Sequence, residues 1–289
     1  MKIHVDGTLY EEEDAKISVF DHGLLYGDGV FEGIRFYDGR IFQLEAHIDR
    51  LFNSAHSICL RPPLTKSGMK QALLETVRAN QLQSGYVRLL LTRGVGNLGL
   101  NPEHCRLPAV IIIVDYIRLY PAEIYKRGLK VVTCTTRRTT PTALSPMVKS
   151  LNYLNNILAK IEASQAGAEE GLMLNEWGYV AECTADNIFI VRNEGVVTPP
   201  VTAGALAGIT RSVIFDLALD LGISLKEADI TRHEVFVADE CFLTGTAAEV
   251  IPVAMLDGRR IGVEVPGPIT QRLTSEFHQL TRRVGTVIY

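Results

Sequence analysis

Three groups of residues in this chain are of types that could do chemistry together. Lys149 opens the run Lys149-Ser150-Leu151-Asn152-Tyr153, and Glu182 opens Glu182-Cys183-Thr184-Ala185-Asp186-Asn187. Gly208-Ile209-Thr210-Arg211 heads an apolar-periodic stretch. An amine withdrawn from water has a depressed pKa and can form an imine with an aldehyde. A partly buried carboxylate can hold a ring nitrogen protonated. A glycine followed by the unsatisfied N–H groups of a helix start is a seat for an anion, favoured by the helix dipole. Together the three suit a phosphorylated aldehyde cofactor. Taken singly, each has a plain alternative: Lys149 and Glu182 as surface charges, Thr210 as an ordinary N-cap. Gly245-Thr246-Ala247-Ala248, after an apolar run, offers a second set of backbone donors.

The elements that must position these groups fall into two halves. Residues 34–37, 87–91 and 109–114 read as strands, and Asp38-Gly39 is a hairpin signal. Residues 44–57 repeat apolar positions at Ala46, Leu51, Ala55 and Ile58, and residues 67–80 at Met69, Leu73, Leu74 and Val77, both at helical spacing. Residues 1–118 are therefore expected to form a small α+β domain. Residues 119–130, with Pro121 and Gly128, read as an interdomain connector. Residues 131–289 are expected to form a larger α/β domain that carries Lys149. Its strands lie at 131–136, 171–174, 187–191 and 240–244, and its helices at 151–166, 210–221 and 270–283. The fold class is thus α/β in two domains.

Composition narrows the function classes. The chain has 289 residues, 47% hydrophobic and 21% charged, an ordinary soluble globular profile. A net charge of -4 gives no general attraction to nucleic acid or anionic membrane. No apolar run reaches transmembrane length, and the N-terminus lacks a signal-peptide core. The five cysteines, at 59, 105, 134, 183 and 241, form no CxxC and suit reduced thiols in a cytoplasm. The seven histidines show no HExxH spacing, so no metal is expected. Gly94-Val95-Gly96-Asn97-Leu98-Gly99 matches the dinucleotide pattern GxGxxG, and Asp115 follows at a suitable distance. Asn101-Pro102 and Leu107-Pro108, however, stand where the crossover helix would run. The stretch reads as a Gly-rich loop, with an NAD-binding oxidoreductase as a remote alternative.

The run Val19-Phe20-Asp21-His22-Gly23-Leu24-Leu25-Tyr26-Gly27-Asp28-Gly29-Val30-Phe31-Glu32-Gly33-Ile34-Arg35 resembles the N-terminal signature of fold-type IV pyridoxal 5'-phosphate (PLP) enzymes. Within them it is most similar to the branched-chain amino acid aminotransferases. The Lys149, Glu182 and Gly208 runs, and Gly245-Thr246-Ala247-Ala248-Glu249-Val250-Ile251-Pro252, match the same family in order. The resemblance covers nearly the whole chain. It implies a two-domain fold with the cofactor at the domain interface, and a ping-pong transaminase that moves the amine of Leu, Ile or Val to 2-oxoglutarate. By it Lys149 is the catalytic base and cofactor anchor, Glu182 faces the pyridine nitrogen, and Tyr153, one helical turn past the lysine, bonds the ring oxygen. Arg50, Leu206, Gly208, Ile209, Thr210 and Thr246 complete the cofactor set. Tyr26, Phe31, Gly33, Arg35, Tyr86, Arg88, Leu98, Leu100, Thr246 and Ala247 line the substrate pocket, with the Tyr26 and Tyr86 hydroxyls available to a γ-carboxylate and Tyr120 a further contact. Leu98 and Leu100 would come from a neighbouring subunit of a homodimer. The partners implied are small amino and 2-oxo acids. D-amino acid aminotransferases, (R)-amine transaminases and aminodeoxychorismate lyases share the fold and stand as alternatives. Ser150-Leu151 replaces a common glycine-bearing stretch, and Cys183 stands where small residues are usual; neither touches a proposed role.

Overall fold

The computed structural model describes residues 1–117 and 119–289. Arg118, the expected end of the small domain, lies outside the described residues. The described residues divide into two units, one of Met1–Ile117, Val148–Asn152 and Thr281–Tyr289, the other of residues 119–147 and Tyr153–Leu280.

The first unit contains β1 (Lys2–Val5), β2 (Thr8–Glu11), α1 (His22–Tyr26), β3 (Gly29–Tyr37), β4 (Arg40–Ile41), α2 (Leu44–Ser57), α3 (Lys66–Asn80), β5 (Gly85–Thr92) and β6 (Ala109–Asp115). A late strand, numbered β16 (Thr286–Val287) in chain order, joins them. The strands form an antiparallel sheet of order β16-β4-β3-β5-β6-β1-β2. Its hairpins turn at Asp6-Gly7 (φ 47° and 89°) and Asp38-Gly39 (φ 46° and 74°), left-handed pairs that match the twist of the strands they join. Period-two alternation puts Val30, Ile34 and Phe36 of β3 and Val87, Leu89 and Leu91 of β5 on one face. That face packs on Leu44, Ile48, Leu51 and Ala55 of α2 and Met69, Leu73 and Val77 of α3. The opposite face of β3 carries Phe31, Gly33 and Arg35, which are paired with Leu90, Arg88 and Tyr86 of β5.

The second unit contains α4 (Ala122–Arg127), β7 (Leu129–Thr133), α5 (Leu154–Gln165), β8 (Glu170–Leu174), β9 (Val180–Cys183), β10 (Asn187–Arg192), β11 (Gly195–Thr198) and α6 (Ile209–Asp220). After these come β12 (Leu225–Glu227), α7 (Arg232–Phe236), β13 (Glu240–Gly245), β14 (Glu249–Leu256), β15 (Arg259–Arg260) and most of α8 (Pro268–Arg283). Its sheet is mixed, in the order β12-β11-β10-β13-β14-β7-β8-β9, with β15 paired to β14. β7 runs parallel to both β14 and β8. Leu129, Val131, Leu172, Ile188, Ile190, Leu243, Ile251 and Val253 form its core.

The division departs from the expected 1–118, 119–130 and 131–289. Residues 148–152 fold with the first unit because Val30 and Ser150 form a β-bridge, flanked by hydrogen bonds from Phe31 N to Lys149 O (3.0 Å) and Leu151 N to Gly29 O (2.9 Å). Lys149 is therefore carried by the first unit, not by the larger one. The last residues join it because β16 pairs with β4. The expected connector contains α4 and the start of β7. Among the described residues no helix is long and apolar enough to cross a membrane.

Candidate active site

In the first unit the chemistry gathers on β3 and α2. The main chain of Lys149 is fixed on two sides, by the pairing with β3 and by its N–H, which donates to Ser54 Oγ of α2 (3.2 Å). Its Nζ lies 4.6 Å from the centroid of the Phe31 ring. The Arg88 guanidinium lies 4.7 Å from the same centroid and 5.5 Å from that of Tyr86. A Cβ on Gly33 would collide with the Tyr86 hydroxyl, so the phenol lies across this position and only glycine fits beneath it. Arg35 donates to Ile117 O (3.3 Å) and stands over the Tyr37 ring. Arg50 sits on the same helix as Ser54, with Nε and Nη2 both donating to Glu32 (2.7 Å each). His47 Nδ1 lies 2.7 Å from the same carboxylate. Burial pushes the Glu32 carboxyl up, but Arg50 and His47 outweigh it and hold it at about 2.

The second unit builds an acid and an anion seat. Glu182, on β9, is buried and accepts from Arg138 Nε (2.9 Å), Leu206 N (2.9 Å) and Asn187 Nδ2 (3.2 Å). Arg138 is held in turn by the side chains of Asn155 and Asn156 on α5. Asn187 also donates to Leu206 O (2.9 Å), so one amide clamps the acid to the segment that leads into α6. Gly208 is the N-cap of α6 and supplies no side-chain cap, which leaves the first-turn N–H groups of Ile209 and Thr210 oriented for an anion. Thr246 and Ala247 lie on the turn between β13 and β14, whose Ala248 carbonyl accepts from the Tyr125 hydroxyl (3.1 Å).

Several expected roles meet a different local geometry. Tyr153 is the N-cap residue of α5, and Lys149 to Asn152 is extended or irregular, because the bridge to β3 delays the helix to Leu154. Tyr153 is therefore not one helical turn past the lysine. The Tyr26 hydroxyl donates to Leu98 O (2.6 Å) and ties down the Gly-rich loop, on which Leu98 and Leu100 are exposed. Tyr120 donates to Glu170 (3.5 Å), and burial raises its pKa further above the ordinary range. The GxGxxG loop leads through a single 3-10 turn (Pro102–His104) into β6, which is antiparallel to β5. A dinucleotide crossover requires a helix and a parallel strand, so that alternative has no structural basis.

The pattern of the family described as amino-transferase class IV matches residues 29–256. The chain belongs to the class IV aminotransferases. A relative of this class IV chain in Methanocaldococcus jannaschii is 49% identical over 100% of this chain and 99% of its own length. The crystal structure of the Escherichia coli branched-chain amino acid aminotransferase superposes with a TM-score of 0.94 at 35% identity, covering 97% of this chain and 94% of that one. A branched-chain amino acid aminotransferase from T.th., complexed with N-(5'-phosphopyridoxyl)-L-glutamate, superposes with a TM-score of 0.91 at 36% identity, covering 97% and 93%.

The donor set of this class IV aminotransferase fits a phosphorylated aldehyde. The first unit offers an amine with a fixed main chain, and the second offers a buried carboxylate with charged support and a helix start without a side-chain cap. At that helix start a Cβ on Gly208 would run into Asn187 Oδ1, so the backbone is kept bare. Glu32, His47, Arg138, Asn155, Asn156 and Asn187 were not among the site residues expected from the sequence. The helical spacing of His47, Arg50 and Ser54 on one face of α2 was a usable signal; for Arg138, far from Glu182 in sequence, there was none.

Proposed function

We propose that this protein transfers the amine of branched-chain L-amino acids to 2-oxoglutarate, with PLP as its cofactor, in a ping-pong cycle. The observation that carries the reading is Lys149, its main chain tied to β3 and Ser54 and its Nζ over the Phe31 ring beside Arg88. An amine and a guanidinium on one aromatic ring suit a substrate with a carboxylate and an apolar side chain. The family membership supports transamination. The names of the Escherichia coli and T.th. relatives support branched-chain substrates, and the phosphopyridoxyl-glutamate bound to the latter supports both the cofactor and glutamate as its amino partner.

Bound PLP would supply an electron sink for the charge that develops at the substrate's Cα. Lys149 Nζ would take the proton from that carbon and deliver it to the cofactor's C4' within the same half-reaction, and would move a proton in the reverse direction in the second. Glu182, with Arg138 and Asn187 behind it, bonds the ring nitrogen, and Tyr153 the ring oxygen. Arg50, the N–H groups of Ile209 and Thr210 after Leu206 and Gly208, and Thr246 hold the phosphate. Arg88, Tyr86, and the N–H groups of Thr246 and Ala247 bind carboxylate. Phe31, Gly33 and Arg35 wall the pocket, which Leu98 and Leu100 of a second subunit, with the Tyr26 bonded to that Leu98, close in a homodimer. The five free cysteines favour the cytoplasm.

A substrate panel with 2-oxoglutarate tests this. L-leucine, L-isoleucine and L-valine should be consumed fastest, with L-glutamate formed. D-leucine as the main product from 2-oxoisocaproate would replace the reading with a D-amino acid aminotransferase. Lys149→Ala should lose at least about 100-fold in turnover, the scale of a removed acid/base group, with an unchanged melting temperature; full activity would overturn the assignment.

A further inference from the structure

The core face of β3 carries Val30, Glu32, Ile34 and Phe36, three apolar side chains and one carboxylate that is 0% exposed. Replacing a buried ion pair by well-packed apolar residues of similar volume is often neutral or even stabilising. Glu32 therefore needs a reason other than stability, and its partners supply one. Both oxygens are used: Oε1 accepts from Arg50 Nε, and Oε2 from Arg50 Nη2 and His47 Nδ1, all at 2.7 Å. Such a side-on, two-bond grip fixes the plane of a guanidinium and leaves its Nη1 end turned away from the carboxylate. His47 and Arg50 are one turn apart on α2, and Ser54, the next turn on the same face, accepts the N–H of Lys149.

We propose that Glu32 and His47 are positioning residues, which hold the Arg50 guanidinium in a single orientation toward the cofactor phosphate while the same helix face holds Lys149. The inference rests on the PLP reading above and goes beyond it by assigning two residues behind the phosphate ligand. An arginine without this grip would spend binding energy on ordering its own side chain. Burial lowers the pKa of His47, and because a carboxylate oxygen can only accept, Nδ1 is the nitrogen that donates to Glu32.

The test measures PLP release from the full-length holoenzyme, and equilibrium affinity for PLP and for pyridoxal, which lacks the phosphate. Glu32→Gln keeps the shape but puts a donor where an acceptor is needed. It should weaken PLP about 10- to 100-fold and pyridoxal by less than about twofold. Equal losses for both cofactors, or none, would overturn the inference. If Glu32→Gln does not fold, His47 decides. His47→Gln retains a donor and should stay within about threefold of wild type for PLP, whereas His47→Ala should lose about tenfold, again for PLP alone. Identical behaviour of these two variants would also overturn it. A wild-type protein that binds no PLP would instead overturn the proposed function itself.

Discussion

Lys149 and Glu182 are legible in the sequence because each sits in a local run whose residue types suit one chemistry. Glu32 and Arg138 are not legible, because the roles proposed for them depend on burial against partners from other segments of the chain. Glu32 also sets an acid limit. Its folded pKa of about 2 lies below the ordinary carboxylate value, so its contribution is complete above pH 4.5 and fades as pH falls toward 2. A shift of this size corresponds to on the order of 3 kcal/mol. His47 acts in the same direction at higher pH. Its folded pKa is lowered from 6.5, so stability is lost as pH falls below that value. Unfolding free energy measured by urea from pH 7 to pH 3 should therefore decline more steeply in wild type than in a Glu32→Gln, His47→Gln double variant. Parallel slopes would contradict it.

At the scale of elements, helix patterning located α2, α3, α6 and α8 to within a few residues, since one apolar face at helical spacing is a local property. It did not locate the start of α5, where pairing of Ser150 with Val30 overrides the helical pattern. The start of α6 shows how one missing Cβ serves two elements. Gly208 has φ -69°, which any residue can adopt, so its need for glycine comes from Asn187 and not from backbone conformation. Gly208→Ala should push Asn187 off Glu182 and Leu206. A cost of about 1–3 kcal/mol is expected from such overpacking, together with about tenfold weaker PLP binding for the loss of roughly one hydrogen bond to a charged group. Thermal melting and a cofactor titration check this; an unchanged melting temperature would show that Asn187 can move at no cost.

At the scale of the whole molecule, the first unit is assembled from three separate chain segments. Ile288, near the end of the chain, is fully buried in the cluster that includes Val30 and Leu51. Its carbonyl accepts from Arg78 Nε of α3 (2.5 Å), and its N–H donates to Gly39 O (2.9 Å). Ile288→Ala should therefore cost about 2–5 kcal/mol, the range for a fully buried aliphatic side chain, and urea unfolding followed by a probe in the first unit measures it. A loss below about 0.5 kcal/mol, typical of a surface position, would place the segment outside the core. By itself the sequence determined the fold class and, through the resemblance of its motifs, the family and its cofactor, because those motifs are local runs of residue types; it also singled out Lys149 as the lysine proposed to react. Only the tertiary structure decided that Lys149 folds with the first unit, that Tyr26 tethers a loop, and that Glu32 and Arg138 stand behind Arg50 and Glu182. Each of these depends on hydrogen bonds and burial between segments distant in sequence, which no local pattern encodes.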